Sequence, residues 1–211
     1  MSIIDTIWRL DPFYPVVDSV DWVERLVKQG TKLVQLRIKD RDDETVMPEI
    51  RAALTVCRAY GADLVVNDYW RAAIAAGADF LHLGQGDLDT ADLAAIRAAG
   101  LKLGISTHDH AELARALARD PDYVALGPIY PTTLKVMPFA PQGLERIGEW
   151  KKLIGDLPLV AIGGITLERA PACLAAGADV IAMVSDVVRH PDPDARTQAW
   201  LAATRPASVR T

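Results

Sequence analysis

A run of six residues, Gln35-Leu36-Arg37-Ile38-Lys39-Asp40, sets the first chemical constraint on this chain. An extended strand points alternate side chains to opposite faces, so Gln35, Arg37 and Lys39 share one face and Val34, Leu36 and Ile38 the other. In a barrel the apolar face meets the covering helices, which turns the polar face inward. Two cations in a packed interior are costly unless something pairs with them. A bound polyanion meets that need; an internal salt-bridge cluster is the alternative.

Asn67 and Asp68 follow the aliphatic run Leu64–Val66, and Asp87 lies in the loop of HLGQGDL. Two carboxylates with an amide beside them offer the hard oxygen ligands that Mg2+ prefers, with waters and substrate phosphates completing its shell. Asp68 can equally cap a helix that begins in YWRAAI. Ser106 and Thr107, in GISTHDH, can cap the next helix, and Ser106 can instead hydrogen-bond a phosphate oxygen. His108 and His110 are two apart, which does not match the spacing of four that a metal-binding pair on a helix uses. They read as exposed, and His82 as a satisfied core histidine.

The segment GPIYPTTLKVMPFAPQGL is the longest connection in the chain and holds Thr132, Thr133 and Lys135, two hydroxyls and a cation. Long connections in compact domains tend to be functional. Gly163-Gly164 and Val184-Ser185 end two later aliphatic runs. Backbone N–H groups at such places, reinforced by a helix N-terminus, suit a phosphate. The constellation therefore divides into a half fitted to a metal-bound diphosphate and a half fitted to a simpler phosphate. Two phosphorylated substrates in one site point to transfer between them.

The elements that must position these residues repeat regularly. Aliphatic runs at Tyr14–Val17, Leu33–Ile38, Leu64–Val66, Phe80–Leu83, Leu101–Ile105, Tyr123–Leu126, Leu159–Ile162 and Val180–Val184 read as strands. Amphipathic, Ala-rich stretches such as ADLAAIRAAG and TLERAPACLAAG lie between them, and Gly30, Gly61, Gly77, Gly100 and Gly177 close helices. Eight strands alternating with helices predict an α/β chain folded as a single-domain (β/α)8 TIM barrel. An open doubly wound sheet would place a glycine-rich loop after the first strand, and Val17-Asp18-Ser19 is not one. The whole chain, 1–211, reads as one domain with its core over about 13–203, an N-terminal extension 1–12 and a frayed tail 206–211.

The 211 residues are half apolar and carry a net charge of −5 with no basic block, which argues against a nucleic-acid surface. Cys57 and Cys173 read as reduced and buried. No signal-peptide pattern and no apolar run of membrane-spanning length is expected, so the chain reads as cytoplasmic.

The series QLRIKD, NDYW, HLGQGDL, GISTH, GPIYPTTLK followed by MPFAPQGL, AIGGI and VS, in that order, resembles the thiamine-phosphate synthase family in the form found in proteobacteria. The resemblance covers roughly residues 13–190. It implies a Mg2+-assisted transferase that joins 4-amino-2-methyl-5-hydroxymethylpyrimidine diphosphate to 4-methyl-5-(2-phosphoethyl)thiazole, giving thiamine phosphate and pyrophosphate. By the same resemblance, Gln35, Arg37, Lys39, Asn67, Ser106 and Lys135 hold the pyrimidine diphosphate, with Arg37, Lys39, Ser106 and Lys135 in catalytic roles. Asp68 and Asp87 hold magnesium, and Thr132, Thr133, Leu134, Gly164, Val184 and Ser185 hold the thiazole phosphate. The partners implied are the two small phosphorylated substrates, with no nucleic acid and no membrane; a homodimer is compatible with this reading. The alternatives are a thiazole tautomerase-like paralogue, which would not need the diphosphate residues, and a non-catalytic thiamine-phosphate-binding protein, which would not turn over.

One position departs from the family pattern Thr-x-Thr-Lys: Leu134 stands where a second threonine is usual. Leucine donates no side-chain hydrogen bond, so Thr133 or the loop backbone must serve. Leu134→Thr is expected to lower KM for the thiazole phosphate in steady-state kinetics, and an unchanged KM would assign that contact to the backbone.

Overall fold

The computed structural model describes residues 10–132 and 139–205. Eight strands, β1 (Phe13–Val17), β2 (Leu33–Leu36), β3 (Asp63–Asn67), β4 (Phe80–Leu83), β5 (Lys102–Thr107), β6 (Tyr123–Leu126), β7 (Leu159–Ile162) and β8 (Val180–Met183), pair in parallel in sequence order. β8 returns to β1 through Phe13↔Ile181, Tyr14↔Ala182 and Pro15↔Met183, so the barrel is closed. Helices follow the strands: α1 (Val20–Lys28), α2 (Asp43–Ala59), α3 (Trp70–Ala76), α4 (Leu93–Ala98), α5 (His110–Leu117), α6 (Gly143–Ile154), α7 (Ala170–Ala175), α8 (Ser185–Val188) and α9 (Pro193–Thr204). The expected (β/α)8 barrel is the fold observed. Among the described residues no helix is long and apolar enough to cross a membrane.

Local chemistry accounts for the helix starts. Ser19, Asp42, Asp92, Asp109 and Asp192 each accept a hydrogen bond from a backbone N–H in the first turn of α1, α2, α4, α5 and α9. Asp109 and not Ser106 or Thr107 caps α5, which leaves Ser106 for other work. Gly30, Gly61, Gly77, Gly100 and Gly177 all take the left-handed backbone expected of helix C-terminal glycines.

Two apolar layers follow from the period of two along each strand. Outward residues such as Val34, Leu36, Leu81, Ile105 and Leu126 pack under the helices in one large cluster, which includes the buried free thiols of Cys57 and Cys173. Burial pushes the Cys57 thiol up to about 12. Inward residues, among them Tyr14, Val16, Leu33, Val65, Phe80, Tyr123, Val160 and Val180, fill the barrel itself.

Gly104 on β5 is what admits the Tyr123 ring: a Cβ there would sit 1.9 Å from Tyr123 Cζ. The ring is fully buried and fixed by hydrogen bonds at its far end, so it cannot swing clear. Gly104→Ala is therefore expected to destabilise the fold by about 1–3 kcal/mol, as overpacking of a filled core does. Urea unfolding of the variant beside wild type measures it, and a loss below about 0.5 kcal/mol would show that the ring moves freely.

Candidate functional site

The polar residues singled out by sequence gather at the C-terminal ends of the strands, where this fold carries its sites. β2 ends at Leu36, two residues before the expected end at Ile38. Only Gln35 of the polar trio is therefore inside the barrel, 5% exposed, while Arg37 and Lys39 lie past the strand end and are exposed. This corrects the expectation that both cations face the packed interior. At the rim they keep solvent around their charge, so the strand needs no internal counter-ion.

Gln35 begins a chain of buried hydrogen bonds across the barrel. Its amide Nε2 donates to the Tyr14 hydroxyl at 2.7 Å, and the Tyr14 and Tyr123 hydroxyls meet at 3.1 Å. Tyr123 Oη lies 2.9 Å from His82 Nδ1, and His82 Nε2 lies 2.8 Å from Ser106 Oγ. With the Gln35 Nε2 donating to Tyr14, the arrangement that gives each tyrosine hydroxyl proton an acceptor runs one way. Tyr14 gives its proton to Tyr123, Tyr123 gives to Nδ1, and Nε2–H gives to Ser106. His82 is then neutral, and burial, helped by the nearby charges of Arg37 and Lys39 against that of Asp68, pulls its pKa down to about 4. The Ser106 hydroxyl, having accepted from His82, keeps its own proton for a ligand. His82 is the satisfied core histidine that its position in the sequence suggests, whereas Tyr14 and Tyr123 carry no sequence signal beyond an inward register.

Carboxylates and cations meet above this floor. Asp68 takes a left-handed backbone (φ 66°), unusual outside glycine but tolerated by Asp, and forms an ion pair with Lys39 Nζ. It caps no helix, since the N-cap residue of α3 is Tyr69 and no side-chain cap hydrogen bond is made there. Asp87 Oδ2 accepts from the Gly84 backbone N–H at 3.1 Å. Its carboxyl is raised above the ordinary range, first by burial and then by the neighbouring Asp68 charge. The Asp68 and Asp87 carboxylates together offer the hard oxygen donors that would seat a divalent cation. Among the described residues no group of three or more His, Cys, Asp or Glu side chains could hold a metal unaided. A cation between Asp68 and Asp87 would thus take the rest of its shell from water and substrate, as Mg2+ does.

Two amide atoms nearby lack partners among the described residues: Asn67 Nδ2 and Gln85 Oε1 are buried and unbonded. Asn67, 4% exposed, sits beside His82 in register. An orphaned donor there is costly unless a ligand accepts from it. Arg37 leads to the opposite side of the mouth, where it lines a cavity of about 130 Å³ with Val16, Val17, Asp18, Val184 and Val188.

That side is built from backbone. β7 and β8 pair as far as Ile162↔Ala182, and Gly164 and Val184–Ser185 lie just past the ends of these neighbouring strands. Both glycines answer first to the protein's own packing. A Cβ on Gly163 would fall 2.6 Å from Pro128 Cα, and one on Gly164 would fall 2.5 Å from the Pro131 carbonyl oxygen. The connection after β6 is thereby pressed against the β7 loop, with Tyr130 N–H donating to the Gly163 carbonyl at 3.0 Å. Thr132 is half-buried at the end of that contact. Thr133, Leu134 and Lys135 lie outside the described residues, as do parts of the N-terminal extension and the tail. His108 is not bare: it stacks on Phe139 with centroids 4.5 Å apart and bonds Glu112 Oε2 at 2.6 Å.

Residues 13–187 match the family model described as thiamine monophosphate synthase. The chain belongs to the thiamine monophosphate synthase family. It is 64% identical over 198 residues to the thiamine-phosphate synthase of Rhizobium etli, covering 94% of this chain and 97% of that protein. It is 54% identical over 179 residues to the thiamine-phosphate synthase of Salmonella typhimurium, covering 85% of each. Among solved structures, thiamine phosphate pyrophosphorylase from Pyrococcus furiosus superposes with a TM-score of 0.80 at 27% identity, over 92% of this chain and 95% of that one.

The His82 chain yields a stability test. As pH falls below 6.5 the unfolded chain protonates His82, while the folded chain resists until about 4. The unfolded state then holds more protons, so stability declines through that window, by on the order of 3 kcal/mol from this group. Urea unfolding at a series of pH values should show a steeper decline for wild type than for His82→Gln; parallel curves would mean that His82 titrates normally.

Proposed function

We propose that this chain condenses 4-amino-2-methyl-5-hydroxymethylpyrimidine diphosphate with 4-methyl-5-(2-phosphoethyl)thiazole, releasing thiamine phosphate and pyrophosphate. The observation that carries the reading is the convergence of Lys39, Asp68 and Asp87 over a buried polar floor that ends in Ser106. Family membership and the named relatives support the substrate pair.

In this reading Asp68 and Asp87 would hold Mg2+, which would neutralise charge on the diphosphate and make it a better leaving group. Lys39 neutralises phosphate oxygens beside that seat, and Arg37 does so from the rim. Ser106 donates its remaining proton, Asn67 donates its orphaned N–H, and the free carbonyl oxygen of Gln35 accepts from the pyrimidine. Lys135, from the connection after β6, adds a cation to the leaving group. Breaking the methylene–oxygen bond leaves a cation that the aminopyrimidine ring delocalises, and the thiazole nitrogen attacks it with its lone pair. That nitrogen carries no proton, so the step needs no general base. The thiazole phosphate rests on Thr132, Thr133, Leu134, Gly164, Val184 and Ser185, which are neutral donors suited to a group that stays intact. Catalysis is then electrostatic, through donors fixed in advance where charge grows.

Incubating the purified chain with both substrates and Mg2+ should yield thiamine phosphate and pyrophosphate in equal amounts, measured by chromatography. Arg37→Gln is expected to lower kcat by about 10²–10³-fold, the usual loss for one charge-stabilising donor, with a smaller change in KM for the thiazole phosphate. No product from wild type would remove the assignment, and a wild-type kcat in the variant would remove Arg37 from it.

A further inference from the structure

Asp186 follows Ser185 directly, yet its side chain turns away from the mouth and is almost fully engaged. Its Oδ2 accepts from Arg196 Nε at 2.8 Å, from the Trp200 indole Nε1 at 2.7 Å and from the Leu167 backbone N–H at 3.2 Å. Its Oδ1 accepts from a second Arg196 nitrogen at 2.9 Å. The pair is well shielded, with side-chain exposures of 14% for Arg196 and 10% for Asp186. Arg196 also forks onto Glu168, at 2.8 and 3.1 Å. That carboxyl is drawn down to about 2, first by Arg196 and then by the Thr166 hydroxyl.

These contacts join three pieces of chain. Leu167 and Glu168 lie in the loop that follows Gly164. Asp186 lies one residue beyond Ser185. Arg196 and Trp200 lie on α9, whose indole is fully buried and stacks on Phe13 of β1 at 5.8 Å. The guanidinium therefore fixes the β7 loop and the β8 loop to each other and to a rigid support. Arg169 adds a second tie on the mouth side, donating to the Gly164 carbonyl at 2.6 Å while lying 4.5 Å from the Tyr130 ring centroid. A forked guanidinium–carboxylate contact fixes angle as well as distance, which a lysine or a single hydrogen bond does not.

We propose that Asp186 and Arg196 are positioning residues for the thiazole-phosphate end of the site, holding the loop that carries Gly164 and the Val184–Ser185 turn in fixed relation to each other. This rests on the reading that those residues bind the thiazole phosphate. Neither Asp186 nor Arg196 touches the substrate. Their effect passes through the Ser185 amide and hydroxyl and through the loop carrying Gly164. Loosening the pair leaves the diphosphate residues on β2 to β5 unaltered, so the defect is confined to one substrate.

The test is a kinetic comparison of Asp186→Asn, Arg196→Lys, Ser185→Ala and Arg25→Gln with wild type. Arg196→Lys keeps the charge but not the fork, and so remains usable should Asp186→Asn fold poorly. Arg25→Gln is the control, because it breaks another tie to α9, the 2.6 Å contact with Asp194, far from the mouth. Asp186→Asn and Arg196→Lys are expected to raise KM and the directly measured Kd for the thiazole phosphate about tenfold, as loss of an orienting partner commonly does. KM for the pyrimidine diphosphate and kcat at saturation should stay within about twofold, and Arg25→Gln should change neither KM. The Ser185→Ala and Asp186→Asn effects on thiazole Kd should combine less than additively, since both act on one group. If Asp186→Asn and Arg196→Lys lower thermal stability and leave thiazole KM at its wild-type value while Ser185→Ala raises it, the positioning role is wrong and the phosphate site stands. If Ser185→Ala also has no effect, the phosphate site itself is misplaced and the proposal falls with it.

Discussion

Across the axis of the barrel the hydroxyls of Tyr14 and Tyr123 touch, and the polar floor of the mouth is aligned by that contact. An eight-stranded barrel is just wide enough for side chains from opposite strands to meet. A hydroxyl placed there finds no water and must bond to another side chain. The two rings solve this for each other, and Gln35 and His82 satisfy what remains. The result is a directed series of donors that fixes the tautomer of His82 and leaves one hydroxyl proton, on Ser106, aimed at the cleft. Gly104 is part of the same solution, because no larger residue leaves room for the Tyr123 ring.

The mouth above this floor has two unlike halves. Around β2 to β5 it is charged and mutually strained. Burial and the Asp68 charge disfavour ionisation of Asp87, Lys39 pairs with Asp68, and Asn67 presents a donor with no partner among the described residues. Each tension is one that a cation with its phosphate ligands would relieve. Around β6 to β8 the site is made of close-packed backbone, held by glycines that admit neighbouring loops and by the Asp186–Arg196 pair behind them. A preorganised neutral pocket suits a phosphate that only needs anchoring, while a charged and adjustable one suits a diphosphate that must leave.

For several of the expected residues the structure gives a different physical reason. The sequence suggests that Gly163 and Gly164 let backbone N–H groups approach a phosphate; in the structure they first clear space for Pro128 and Pro131. Arg37 and Lys39 were expected inside the barrel; they stand on its rim, since β2 ends before them. Asp68 was open between capping and metal binding; its left-handed backbone and its contact with Lys39 remove it from α3.

Alternation of aliphatic runs with Ala-rich amphipathic stretches was enough to read the barrel, because burying both faces of a parallel strand leaves a mark in every segment. The order of QLRIKD, HLGQGDL, GISTH and GPIYPTTLK was enough to read the family, since the rim residues are consecutive in sequence with the strands that carry them. What the sequence did not contain was which residues meet across the axis. Tyr14 and Tyr123 are separated by 109 positions, and Asp186 meets Leu167 across 19. Such pairings have no local periodicity. They exist only because barrel closure and strand register bring the two partners to one height, and that is a property of all eight strands together.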